Sequence, residues 1–131
     1  MSSKFSNQEI GVYGEKQCAK YIKKYKKYKI INKNYKIGHL EADIIAHNKE
    51  FIIFIEVKTR HIDSTNSPRP GDAVNKNKKS NLLKFAYTYM KTCDKKLSSL
   101  IPRIDVCEIW VDGDKKLKVS EINYIENAIS R

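Results

Sequence analysis

The sequence predicts an α/β domain, a mixed central sheet flanked by helices in the order αβββαββ. Three observations carry this. Two stretches repeat apolar residues at three-to-four spacing, several short runs alternate or are continuously apolar, and polar turn residues separate them. With 131 residues the chain makes one domain, residues 1–131, with a core of useful size.

The first helix is predicted over about 7–25, where Cys18, Ala19, Ile22 and Tyr25 form one stripe that extends backward onto Glu15. Lysines fall on its other side. Residues 28–37 are mixed and lysine-rich, as suits an edge strand. Leu40 to His47 alternates as a strand, with Leu40, Ala42, Ile44 and Ala46 on one face. Phe51 to Arg60 is a second, nearly apolar strand, joined to it by the polar turn His47-Asn48-Lys49-Glu50. Residues 61–72 have loop composition. A second helix follows over about 73–93, with Val74, Leu82, Phe85, Tyr89 and Cys93 on one stripe. Arg103 to Val111 and 117–122 are strands about an Asp112-Gly113 turn, and a short helix is expected to close the chain.

The longest apolar stretch, Phe51 to Ile55, is far below the roughly 18 residues of a membrane span. No secretion signal is visible, and the odd count of three cysteines without a CxxC pair reads as reduced thiols in a cytoplasmic protein. His39, His47 and His61 lack zinc-binding spacing. A net charge of +11 favours a polyanionic partner. Only Arg60, Arg69, Arg103 and Arg131 among the 26 basic residues are arginine, so part of the charge reflects a lysine-rich composition. Charge makes nucleic acid plausible and does no more.

The chemistry sits on the hairpin. Ile52, Phe54, Glu56 and Lys58 share a face by alternation. An even turn centred between Asn48 and Lys49 sets Asp43 opposite Phe54 and Glu41 opposite Glu56, leaving Asp43 diagonal to Glu56. Carboxylates this close repel unless a cation intervenes. Mg²⁺ accepts one or two carboxylates while keeping waters and a phosphate oxygen, and a neighbouring lysine stabilises developing charge. A Glu-x-Lys pair alone is more often an exposed ion pair on a sheet edge. Asp43 tips the balance toward metal. Glu15 and Lys78 strengthen it, as charges on otherwise apolar helical stripes.

Asp43 followed by Glu56-x-Lys58 resembles the PD-(D/E)XK nuclease superfamily. The whole chain is similar to the YraN family of uncharacterised bacterial proteins, which resembles archaeal Holliday-junction resolvases. The resemblance rests on Gly11-Val12-Tyr13-Gly14-Glu15, Glu41-Ala42-Asp43-Ile44-Ile45-Ala46, Phe54 to Arg60, Ala73-Val74 with Lys78, and Arg103-Ile104-Asp105-Val106. Leu40-Glu41-Ala42-Asp43 stands where the family usually has Gly-Glu-Ile-Asp. The resemblance implies a restriction-endonuclease-like fold, Glu15, Asp43, Glu56 and Lys58 as active-site residues, and Asp43 and Glu56 as ligands of Mg²⁺, with Mn²⁺ as a substitute.

The expected function is metal-dependent phosphodiester hydrolysis in DNA, branched or structured DNA in particular. Lys20, Lys24, Arg60, Lys76, Lys78 and Lys79 are the candidate nucleic-acid contacts. Tyr21, Tyr25, Tyr28 and Tyr35 interleave with lysines and could stack on bases, although such tyrosines more often pack. Two-strand cleavage would favour a symmetric homodimer by analogy. The rival class is a non-catalytic nucleic-acid-binding module that keeps the fold, and a third is a basic protein-interaction subunit.

Overall fold

The structure is a computed structural model; it describes residues 5–62 and 76–128, with side chains from 80 onward in the second segment. Helix α1 (Asn7–Tyr21) starts at a reciprocal cap. The Ser6 side chain accepts from the Glu9 amide at 3.1 Å, and Glu9 accepts from the Ser6 amide at 2.9 Å. A π-helical turn (Ile22–Lys26) follows, and Lys27, left-handed at φ 61°, ends it. Then come β1 (Lys29–Ile37), β2 (Leu40–His47), β3 (Phe51–His61), α2 (Lys76–Thr92), a four-residue helix α3 (Lys95–Ser98), β4 (Ile101–Asp112) and β5 (Lys118–Ile125).

The five strands lie in sequence order, antiparallel except for the parallel pair β3–β4. Parallel pairing needs a long crossover, and the segment holding α2 supplies it. Helix α1 covers one face through Ile10, Cys18 and Ala19, with Ile22 of the π-helical turn, against Ile44, Ile53, Ile55 and Ile109. Helix α2 covers the other through Leu82, Phe85 and Tyr89, against Ile45, Ile52 and Phe54. This mixed sheet flanked by helices matches the expected class and order, with α3 added. The expected start of α2 at 73 and the end of the closing helix lie outside the described residues; Glu126 and Asn127 form a turn.

Three expectations need correction. The helical stripe puts Tyr25 inward with Ile22, but Tyr25 is 65% exposed. The π-helical turn inserts an extra residue per turn, which keeps Ile22 buried and rotates Tyr25 to solvent. The β2–β3 register is also shifted. His47 pairs with Ile52, and the turn Asn48–Phe51 is closed by the Asn48 amide donating to Phe51 O at 3.0 Å. Asn48 Oδ1 accepts from the Glu50 and Phe51 amides, so the turn centres one residue later than expected. Finally, simple alternation fails within β2. Leu40 and Ala42 pack with Ile45 on the α2 face, whereas Ile44 and Ala46 pack on the α1 face. The change of face falls at Asp43.

Helix α1 lies close to β3. A Cβ placed on Gly14 would stand 1.8 Å from Thr59 Oγ1 and 2.7 Å from its Cβ and Cγ2, so no rotation of Thr59 clears it. Gly14→Ala should therefore lower stability by about 1–3 kcal/mol, less the roughly 1 kcal/mol of helix propensity gained. Thr59→Ala removes Oγ1 and Cγ2 but keeps the Cβ at 2.7 Å, so it should recover only part of the loss in urea denaturation.

Candidate active site

The register shift brings Asp43 closer to Glu56 than the sequence predicts. The β2–β3 ladder ends at Ile44–Ile55, and the next step sets Asp43 level with Glu56 rather than Phe54. There the Asp43 side chain takes over from the backbone, Oδ2 accepting from the Val57 amide at 2.8 Å. Across β2, Asn34 in β1 has φ 50°, a left-handed conformation that asparagine tolerates, between the pairs Lys33–Ile44 and Tyr35–Ala42. The strand is thus irregular on both sides of Asp43.

Asp43 and Glu56 line one cavity of about 150 Å³, with His39, Leu40 and Glu41 from the start of β2 and Asn81 and Leu82 from α2. Glu56 is only 4% exposed, Asp43 is half-buried and Glu41 is exposed. The structure thus brings Asp43, Glu41 and Glu56 to one cavity in a register other than the expected one. Lys58, half-buried on β3, follows Glu56 on the same face by alternation but is not part of the cavity wall.

Glu15 approaches from α1. Burial raises its carboxyl pKa, and the Glu41 and Glu56 charges raise it further, against the opposing effects of the Asn34 amide and the Lys33 charge. Glu15 thus feels the acidic group but is not part of the cavity wall. A carboxyl that binds its proton more tightly folded than unfolded loses stability as pH rises from its ordinary value, 4.5, through its raised folded value. Glu15→Gln should therefore raise the melting temperature at neutral pH, and the gain should vanish well below pH 4.5, as scanning calorimetry across pH would show.

The other predicted contacts are dispersed. Lys20 and Lys24 are exposed at the end of α1 and in the π-helical turn, the latter with its ammonium 5.3 Å from the Tyr25 ring. Arg60 is half-buried, and its Nη1 donates to the Thr59 carbonyl at 3.2 Å. The side chains of Lys76, Lys78 and Lys79 lie outside the described residues. Of these four tyrosines, Tyr21 stacks on Tyr124, Tyr28 is buried, Tyr35 meets Phe85 and Tyr89 edge-on while staying partly exposed, and Tyr25 is the most exposed.

Sequence reasoning did not single out His39 and Asn81. Asn81 lies three residues after Lys78 and four before Phe85 on the helical stripe, a signal that could have found it. His39 lies in the turn after Gly38, and only the fold brings it to the cavity.

Two carboxylates from adjacent strands suit Mg²⁺, which takes its other ligands from water and phosphate. Among the described residues no group of three or more His, Cys, Asp and Glu side chains could form an all-protein cage. Cys18, Cys93 and Cys107 are free thiols. Among the described residues no helix is long and apolar enough to cross a membrane.

Comparison with known proteins gives the same picture of kinship. Residues 14–109 match the model of Uncharacterised protein family UPF0102, the span that carries Glu15, Asp43, Glu56 and Lys58. The chain is 38% identical over 125 residues to the UPF0102 protein TTE1452 of Caldanaerobacter subterraneus subsp. tengcongensis, covering 95% of this chain and 98% of that one. It is 38% identical to a UPF0102 protein of Syntrophomonas wolfei (93% and 98% covered) and 34% identical to one of Acetivibrio thermocellus (98% and 99% covered). The chain belongs to the UPF0102 (YraN) family.

Proposed function

We propose that this protein is a Mg²⁺-dependent endonuclease that hydrolyses phosphodiester bonds in DNA, branched or structured DNA in particular. The observation that carries the reading is the meeting of Asp43 and Glu56 in one cavity, with Lys58 two residues after Glu56 on the same strand. Asp43 and Glu56 would hold the ion, and Mn²⁺ is an acceptable substitute. When bound, the ion supplies charge that activates a water and offsets charge on the phosphate. Asp43 is held in orientation by the Val57 amide. Glu56 is held by burial within β3. Lys58 presents a cation to the phosphate and helps position the attacking water. Glu15 completes the acidic group from the opposite side. The net charge of +11 supports a polyanionic substrate, with Lys20, Lys24, Arg60, Lys76, Lys78 and Lys79 as phosphate contacts. Cleavage of both strands at a branch favours a symmetric homodimer.

A non-catalytic nucleic-acid-binding module is the second reading. The net charge of +11 favours it, since neutralising phosphates binds nucleic acid without any chemistry. A cleavage assay on duplex, flap, junction and single-stranded substrates, with Mg²⁺, Mn²⁺ or EDTA, tests the choice. Metal-dependent cutting supports the enzyme. Salt-dependent binding without cutting supports the module, and no binding at all removes both. In an active protein, Lys58→Ala should cost about 10²–10³ in rate while DNA affinity falls only modestly.

A further inference from the structure

The far end of α1 carries a row of tyrosine rings. Between ring centroids, Tyr28 and Tyr124 lie 6.5 Å apart, Tyr124 and Tyr21 stack at 6.0 Å, and Tyr21 and Tyr25 are 5.3 Å apart. The inner end of the row is fixed. Tyr124 OH donates to Asp105 at 2.6 Å, and Arg103 donates to Tyr28 OH at 2.6 Å. The outer ring, Tyr25, is 65% exposed. In an unbroken α-helix it would share the buried stripe of Ile22, and the π-helical turn carries it out instead. Its surroundings are cationic. No Asp or Glu occurs between Glu15 and Glu41, whereas Lys20, Lys23, Lys24 and Lys27 are exposed. The Lys24 ammonium stands 5.3 Å from the Tyr25 ring centroid. Glu126, which reaches this end from the turn after β5, is taken up by Lys26 at 2.9 Å.

An exposed ring at the end of a packed aromatic row, among exposed lysines, suits a flat partner that carries negative charge. An unpaired nucleotide is both. In a duplex each base is already stacked between its neighbours, so phosphate contacts alone remain and the ring adds nothing. We infer that Tyr25 is a stacking platform for an unpaired DNA strand, with Lys23, Lys24 and Lys27 on the flanking phosphates. A base on Tyr25 extends the tyrosine row by one. Tyr21 backs the ring, so little freedom is lost when the base arrives. Tyr25 lies ten residues beyond Glu15, roughly 15 Å along the helix, and outside the cavity of Asp43 and Glu56. The inference rests on the proposed DNA substrate and narrows its class. DNA with an unpaired strand, such as a flap, is preferred to fully paired duplex.

The test is fluorescence anisotropy with labelled oligothymidylate and with a duplex of equal length, in EDTA so that nothing is cut. Tyr25→Ala should weaken single-strand binding by about five- to a hundredfold and leave duplex binding unchanged. Tyr25→Phe should bind as the wild type does. The exposure of Tyr25 lets these variants keep the core intact. Lys24→Ala acts through charge, so it should weaken both ligands alike and flatten the salt dependence. Tyr25→Trp gives an independent reading, because oligothymidylate should quench its emission above the background of Trp110. Tyr25→Ala binding the single strand as tightly as the wild type overturns the platform, and so does Tyr25→Trp emission that saturating oligonucleotide leaves unchanged. A wild type that binds duplex but no single strand overturns the platform and leaves the DNA reading standing. A wild type that binds neither overturns both. One that binds the single strand through Tyr25 but cuts nothing keeps the platform and defeats the endonuclease alone.

Discussion

Asp43→Asn and Glu56→Gln are each expected to remove Mg²⁺-dependent cleavage, a loss on the order of 10⁴-fold in rate. Mg²⁺ prefers anionic oxygens, and each change replaces one carboxylate of a two-carboxylate site with a neutral amide. Structure should survive. The side-chain carbonyl that Asp43→Asn retains can still accept from the Val57 amide, the bond that Asp43 Oδ2 makes at 2.8 Å. Neither change removes a cation that contacts phosphate. DNA affinity measured without metal should therefore hold, or rise slightly as repulsion falls. This separates the ligands from Lys58, whose loss should slow the reaction without removing the ion.

The largest effect on stability is expected at Asp105, far from any role in cleavage. Asp105 is fully buried in β4 and accepts four hydrogen bonds. Arg103 donates through Nε and Nη2 at 2.9 and 2.8 Å, Tyr124 OH at 2.6 Å and the Asn127 amide at 2.9 Å. The same Arg103 Nη2 donates to Tyr28 OH at 2.6 Å, and the guanidinium lies over the Phe51 ring at 4.6 Å. One carboxylate thus ties the start of β1, the start of β3, β4 and the end of β5 together. Burial works against the Arg103 charge, but hydrogen bonds to Asp105 and Tyr28 outweigh it and raise its pKa. Burial first, then the Asp105 charge, raises Tyr124 as well. Asp105→Ala leaves the Arg103 cation 10% exposed and without its carboxylate. The expected cost is about 3–5 kcal/mol, the range for breaking a buried pair. That is a large share of the roughly 5–15 kcal/mol that holds a domain together. Urea denaturation should show the midpoint falling while the slope stays unchanged.

The elements were legible because local chemistry decided them. Leu40–His47 and Phe51–His61 are strands because apolar and β-branched residues there admit nothing else, and Gly113, at φ 107°, turns where Asp112-Gly113 predicted. What local pattern could not carry was the change of face at Asp43. It depends on a side chain replacing a ladder bond and on Asn34 in the neighbouring strand, neither of which leaves a periodic trace. The turn centres one residue beyond its expected place because the Asn48 side chain, not the count of polar residues, sets it. The parity of the pairing is as expected, but Asp43 falls level with Glu56 through the shifted register and its own bond to the Val57 amide. In sequence, Asp105 stands out only as part of a family motif and Glu108 not at all, because their partners come from β5 and the turn after it.

The central claim is that Asp43 and Glu56 together hold a divalent ion, and Mn²⁺ titration into ¹⁵N-labelled protein tests it without any choice of substrate. Paramagnetic broadening should begin at the amides of Asp43, Glu56, Val57 and Leu82, around the cavity, and Mg²⁺ should compete it away. Asp43→Asn should abolish that localised broadening in a protein whose other resonances stay in place. Broadening centred on another acidic surface, or undiminished in Asp43→Asn, would contradict the account.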